Sequence, residues 1–284
     1  MRANLQTIGI VAGLAILAFV STGCEKLKAR DHLNKGVAAF KSAKYPDAVE
    51  HFKQAVEYDP TFPTARLYLA SAYMSQYIPG AESPENLQNA QAANDQFLKV
   101  LEQDPKNLVA IESLASLHYN EAQGATGLEA KVKKLGESET WYKRLADTDP
   151  NKREAWYSLG VITWAKWYPA LAEARAKLGM KPEDPGPLKD KKLKEELKAK
   201  WGPVVEEGIK DLQKALDIDK EYDEAMAYMN LLIRERADLA DTPEEYKKEV
   251  ETADNWVQKA LETKKIKAER AAKAPPAGVA PEAK

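Results

Sequence analysis

Cysteine and histidine are nearly missing from this sequence, with one Cys and three His in 284 residues. A single thiol excludes an internal disulfide framework, and so few Cys and His leave little material for a zinc site. His32, His51 and His118 fall on separate predicted helices, without His-x-x-x-His or His-Glu-x-x-His spacing. There is no Gly-x-Ser-x-Gly elbow, and GATGLEAK at 124–131 has the wrong spacing for a phosphate loop and follows no predicted strand. The adjacent Glu206 and Glu207 point to different sides of a helix and read as solvating charge. An excess of one charge is missing too. The 42 Lys and Arg nearly balance 44 Asp and Glu, for a net charge of −2, which argues against the basic face of a nucleic-acid binder. Alternating Val/Ile/Thr runs are scarce, whereas Ala, Leu, Glu and Lys abound, so the chain is expected to be all-α. Apolar residues make up 44% of it, ample for a core. The expectation is a folded protein that is not an enzyme and has no metal and no cofactor.

Only one long apolar run is present, IGIVAGLAILAFV at 8–20, preceded by Arg2 and followed by STGC at 21–24. A positive start, a short apolar stretch and then small residues is the order of a secretory signal. A cysteine directly after the small residues resembles the lipobox of bacterial lipoproteins. That resemblance implies a signal peptide over 1–23, a lipid (palmitate) on Cys24 and a short linker over 24–28. The lipobox prefers an aliphatic residue three places before the cysteine; Ser21 stands there, and Val20 lies one place too early. The alternative, an uncleaved anchor, has a run that is short against the ~20 residues needed to span a bilayer. Glu25 stands where some inner-membrane lipoproteins carry Asp, so the lipoprotein resemblance implies a bacterial cell envelope location, anchored in the outer membrane and facing the periplasm.

One ten-residue phrase recurs: HFKQAVEYDP at 51–60, QFLKVLEQDP at 96–105, WYKRLADTDP at 141–150, DLQKALDIDK at 211–220 and WVQKALETKK at 256–265. In the first copy Ala48, Phe52 and Ala55 share one helix face, and Gly36, Ala39 and Phe40 lie on a preceding helix joined to it by KYPD. Small–aromatic–small spacing across a helix hairpin closed by Asp-Pro resembles the tetratricopeptide (TPR) repeat, whose period is 34 residues. Three of the steps here are 45 residues. The surplus of about 11 is close to three helical turns and is expected to lengthen the second helix of a pair. Its start signals are SPEN at 83–86, Thr126 with Glu129, and TPEE at 242–245 with capping-box spacing. The resemblance implies a right-handed superhelical solenoid over 29–264, made of about five hairpins: 29–62, 63–107, 108–152, 153–221 and 222–264. The fourth pair carries an insertion over about 166–201, ending in a short Lys-rich helix. The Ala/Pro-rich end, 265–284, reads as a disordered tail.

In TPR proteins the first helix of each pair lines a groove that binds other proteins. Carried onto this chain, the partner-binding positions include Phe40, Met74, Tyr119, Tyr157, Trp164 and Arg234, joined by Trp167 and Tyr168 from the insertion. The family's carboxylate clamp uses Asn where this chain has Val37, Ser71, Ser116 and Val161, so the groove reads as apolar and aromatic instead. Two readings of the insertion aromatics stand side by side: anchors for a partner, or packing of the insertion onto its own repeat. In plan the chain is similar to TPR lipoproteins of type IV pilus or outer-membrane assembly. The similarity implies a membrane-anchored scaffold whose partners are envelope proteins such as a secretin, a barrel-assembly protein or pilus components. The alternative is a non-catalytic regulator or subunit of an envelope enzyme such as a peptidoglycan synthase or hydrolase.

Overall fold

A computed structural model of the chain describes residues 5–181 and 183–273, with residues 5–22 described by their backbone alone. Among the described residues every regular element is helical. In order they are α1 (Leu5–Lys41), α2 (Tyr45–Tyr58), α3 (Pro63–Met74), α4 (Pro84–Gln103), α5 (Leu108–Gly124), α6 (Leu128–Thr148), α7 (Arg153–Lys177), α8 (Lys191–Ile218), α9 (Asp223–Arg236), a 3-10 turn (Ala237–Leu239) and α10 (Pro243–Lys273). Among the described residues no helix is long and apolar enough to cross a membrane. The chain forms two compact units, Met1–Trp141 and Tyr142–Lys284.

The recurring phrase is a helix ending, and its aspartate makes the turn. Asp59, Asp104, Asp149 and Asp219 each accept, through a side-chain oxygen, the backbone N–H two residues on, at 3.1, 3.3, 3.1 and 2.9 Å. Such Asx turns offer the chain an alternative to the helix. Proline is therefore dispensable, since the fourth copy has Lys220 in its place and still ends at Ile218. The fifth copy has Lys264 where the aspartate belongs, and α10 runs straight through it. Residues 265–273, expected to be disordered, are helical: IKAERAAK is rich in helix formers, and Lys267 and Arg270 pair with Asp223 and Glu221 at the start of α9. The remainder of that tail and residues 1–4 lie outside the described residues. Residues 24–28, expected as a linker, are also helical within α1, and Lys28 pairs with Glu25 there at 3.1 Å.

In the first and fourth pairs the helices meet through a glycine of the first helix. A Cβ on Gly36 would lie 2.4 Å from the Phe52 ring, and one on Gly160 would lie 2.4 Å from Leu212. Both partners are fully buried, so neither can swing aside. In the first unit Phe52 packs among Ala48, Val49, Leu69 and Ala72. The second helices are lengthened, to 20 residues in α4 and 21 in α6 against 14 in α2. Ser83 caps α4 by accepting the Asn86 N–H, and Thr242 and Glu245 form a reciprocal capping box on α10. Asn86 is buried because its amide ties the preceding loop, bonding both backbone groups of Ile78 and the Ala81 carbonyl. α6 starts at Leu128, after Gly127 takes a φ of +88° outside the helical region.

The insertion lengthens both helices of the fourth pair. α7 continues to Lys177 through Pro169, and the expected short Lys-rich helix is the start of a 28-residue α8 that passes through Pro203. A proline inside a helix costs ~3 kcal/mol. Burial of Val205, Leu212 and Ala215 on the same helix, together with Leu171 and Ala174 on α7, offsets that cost. The lysines of this segment are not all solvated, because Lys194 is buried and donates to the Ala240 carbonyl at 2.7 Å.

Replacing Gly36 or Gly160 by alanine should destabilise its unit by about 1–3 kcal/mol through overpacking. Urea denaturation checks this, and wild-type midpoints for both variants would show that these contacts are not limiting.

Candidate functional site

The site is assembled from the first helices of the fourth and fifth pairs. Tyr157, Trp164 and Tyr168 stand two and three turns apart on one face of α7, and Tyr222 and Tyr228 come from α9 and the residue before it. They form one row of rings, with centroids 5.0 Å apart for Tyr222–Tyr157, 5.7 Å for Tyr157–Tyr228, 5.7 Å for Tyr228–Trp164 and 5.3 Å for Trp164–Tyr168. Four of the rings are half-buried and Tyr168 is 41% exposed. Burial raises the Tyr228 phenol above its ordinary pKa and pushes Tyr222 up to about 12, so both stay protonated.

The row ends beside a cavity of about 560 Å³, within the usual range for ligand sites. Its walls are the end of α7, the loop 178–190 and the turn from α9 into α10. Arg175 builds it. This residue is 9% exposed, and its guanidinium donates to Asp238 Oδ2 at 2.5 Å and to the carbonyls of Lys181 (2.8 Å) and Asp184. The loop is held from its other side as well, where the Leu188 N–H donates to the Asp238 carbonyl at 2.9 Å and the Gly186 N–H donates to the Tyr246 hydroxyl at 3.0 Å. Leu171, Ala172 and Met180 supply apolar lining. Glu235 is the unusual group. Its Oε1 accepts the Trp164 indole N–H at 2.8 Å, while its buried Oε2 meets no donor from the chain. Burial raises the carboxyl to about 7, opposed by the Trp164 bond and helped by the charge of Asp238.

Of the expected partner-binding residues, Tyr157, Trp164, Tyr168 and Arg234 come together in this unit. Arg234 lines the cavity and is paired with Asp254 at 2.5 Å. Trp167 does not belong with them. It faces the other side of α7, is fully buried against Trp201 at 5.9 Å, and is a core residue with no surface for a partner. The insertion aromatics thus divide: Trp167 packs the insertion onto its own repeat, whereas Trp164 and Tyr168 are left partly open. Phe40, Met74 and Tyr119 are half-buried residues of the first unit, on α1, α3 and α5. Phe40 packs edge-on to Tyr45 at 5.3 Å and Tyr68 at 6.5 Å. Arg175, Asp238 and Tyr246 carried no sequence signal, since neither periodicity nor motif sets them apart from other charged or aromatic positions.

The histidines, spread over separate helices, find partners in the fold. His32 and His51 face each other across the α1–α2 hairpin, with ring centroids 5.8 Å apart. His118 Nδ1 lies 2.8 Å from Glu121 and 3.3 Å from Glu137, a grouping that could suit a cation. Lys134 already fills that role, its ammonium 2.8 Å from Glu121 and 3.0 Å from Glu137. Burial would raise the Glu121 carboxyl, but the hydrogen bonds from His118 and Lys134 outweigh it and hold the group below its ordinary pKa.

Glu235 gives a pH test. A carboxyl raised from 4.5 to about 7 on folding stabilises the folded state when protonated, and that contribution fades as pH rises through about 7. Glu235→Gln should therefore match the wild type near pH 4 and exceed it at pH 8 by on the order of 1–3 kcal/mol. Denaturation at the two pH values measures this; an equal difference at both would remove Glu235 as the titrating group.

A family model for the TPR repeat matches residues 36–76, which span the end of α1 through α3. No curated protein matches the chain in sequence. Among solved structures, a double mutant described as MamA RS-1 ArsTM has a TM-score of 0.51 at 17% identity, covering 84% of this chain and 96% of that one. MamA 41-end from Desulfovibrio magneticus RS-1 has a TM-score of 0.50 at the same identity, again covering 84% and 96%. At such identity the likeness is one of fold, and the fold of this chain is the all-helical, paired-helix fold of TPR proteins.

Proposed function

We propose that the chain is a lipid-anchored TPR scaffold of the bacterial envelope, held to the outer membrane through Cys24, that binds envelope proteins and helps to assemble or localise their complex. The observation that carries the binding part is the half-open row from Tyr222 to Tyr168. Rings with apolar faces and polar edges, left partly open on a rigid pair of helices, are typical anchors for a protein partner. The anchoring part is supported by the order of Arg2, the apolar run 8–20 and STGC, and by the exposure of Cys24. A TPR fold implies protein partners in general; the envelope as their location comes from the amino-terminal sequence.

Photo-crosslinkers at Tyr157 and Tyr168 in living cells should each trap the same dominant envelope protein, and Trp164→Ala should reduce that adduct at least tenfold. A secretin or barrel-assembly protein would support the assembly scaffold, and a peptidoglycan synthase or hydrolase would support the regulator instead. If neither position gives a specific adduct, the row is not a docking face. Separately, Cys24→Ser should abolish incorporation of labelled palmitate and release the protein from the membrane fraction; retained label would disprove the anchor.

A further inference from the structure

We infer that the cavity of the second unit is a receptor for one basic side chain, arginine or lysine, presented by a partner polypeptide; this deepens the binding reading above and rests on it. The argument starts from charge. Six charged groups line the cavity: Glu183, Asp184, Glu235 and Asp238 against Arg175 and Arg234. Arg175 and Asp238 neutralise each other at 2.5 Å, and Arg234 is taken up by Asp254 and Asn230. Asp184 Oδ2 accepts the Lys181 N–H at 2.7 Å. Glu183, exposed at the rim, and Asp184 and Glu235, both partly buried, are left without a cation among the described residues. The surplus is acidic.

The other walls fit the rest of such a side chain. Leu171, Ala172 and Met180 suit an alkyl stem, and Tyr168, backed by the stacked Trp164 ring, offers a flat face on which a guanidinium or ammonium group can sit. An apolar group would leave the acidic surplus of the walls unmatched, and an acidic one would be repelled. A hard metal ion needs about six converging oxygens, whereas here Asp238 is taken by Arg175, Asp184 by the Lys181 N–H and one Glu235 oxygen by Trp164. Besides those six charged groups the titratable residues of the lining are Tyr168 and Tyr246, so Glu235 is the group whose ionisation the incoming cation would favour. With its carboxyl at about 7, binding should strengthen by about tenfold between pH 6 and pH 8 as the ionised fraction grows.

The test follows the indole N–H signal of Trp164, assigned with Trp164→Phe, in the full chain in detergent. N-acetyl-arginine N-methylamide and its lysine counterpart should move that signal and bind more tightly at pH 8, while the neutral norleucine counterpart should bind at least about tenfold more weakly. Glu235→Gln should weaken arginine binding about tenfold or more, and Tyr168→Ala, at the exposed end of the row, should weaken it about threefold. Equal binding of norleucine, wild-type affinity in both variants, or an affinity flat with pH would overturn the assignment. Agmatine binding far more tightly than the blocked amino acids would make the ligand a free organic cation and overturn the partner as its source. Arginine binding with no crosslinked protein from Tyr157 or Tyr168 would overturn the docking face and leave the specificity of the cavity standing, so the two readings fail separately.

Discussion

Each helix pair depends on how closely its two backbones approach. Gly36 under Phe52 and Gly160 under Leu212 leave no room for a single extra carbon. That approach brings two amphipathic helices close enough to bury one apolar stripe against another, which neither could do alone. A single hairpin still leaves much of its surface wet, and the next pair covers it. In the first unit Phe52 stacks on Tyr68 at 5.4 Å, and in the second Leu212 and Met229 share one core with Trp167. Stability in such a chain is approximately a sum over neighbours, so local exceptions are tolerated. Two prolines inside α7 and α8 are carried in this way.

The same tolerance gives the second unit room for a site. Lengthening α7 and α8 moves their connecting loop out of the regular pattern and against the turn between α9 and α10. Arg175 then holds loop and turn together, donating to a carboxylate on one side and two carbonyls on the other. A buried guanidinium is costly unless it is paired and hydrogen-bonded, and these contacts tie the loop to the turn beside the cavity. The aromatic row on α7 and α9 leads to that cavity, and a frame tied in this way is what a preorganised binding surface requires.

Polar groups in this protein are mostly satisfied at home. Lys134 settles the carboxylates around His118, Asn86 settles a loop, and Lys194 settles the end of the 3-10 turn. Among the described residues Glu235 is the one carboxylate with a buried oxygen that meets no donor from the chain. The fold would lose little by a glutamine there, so the carboxylate is better explained by what it could hold than by what it stabilises.

The sequence by itself determined the helices, their pairing and most of their ends. Glycine, aspartate and cap residues act through neighbours a few positions away, and a recurring phrase exposes them by repetition. Gly36 and Gly160 were legible as close contacts for that reason, as were the starts of α4 and α10. It also placed Tyr157, Trp164 and Arg234 on first helices, because helical periodicity assigns a face. It left Trp167 and Tyr168 undivided, since adjacent residues on a helix differ by about 100° and only the packing of α8 decides which one is covered. Arg175 with Asp238, and Trp164 with Glu235, are 63 and 71 residues apart. Charged residues are common and their partners arbitrary at that distance, so the cavity, its charge and the lone oxygen of Glu235 were decided by the tertiary structure alone.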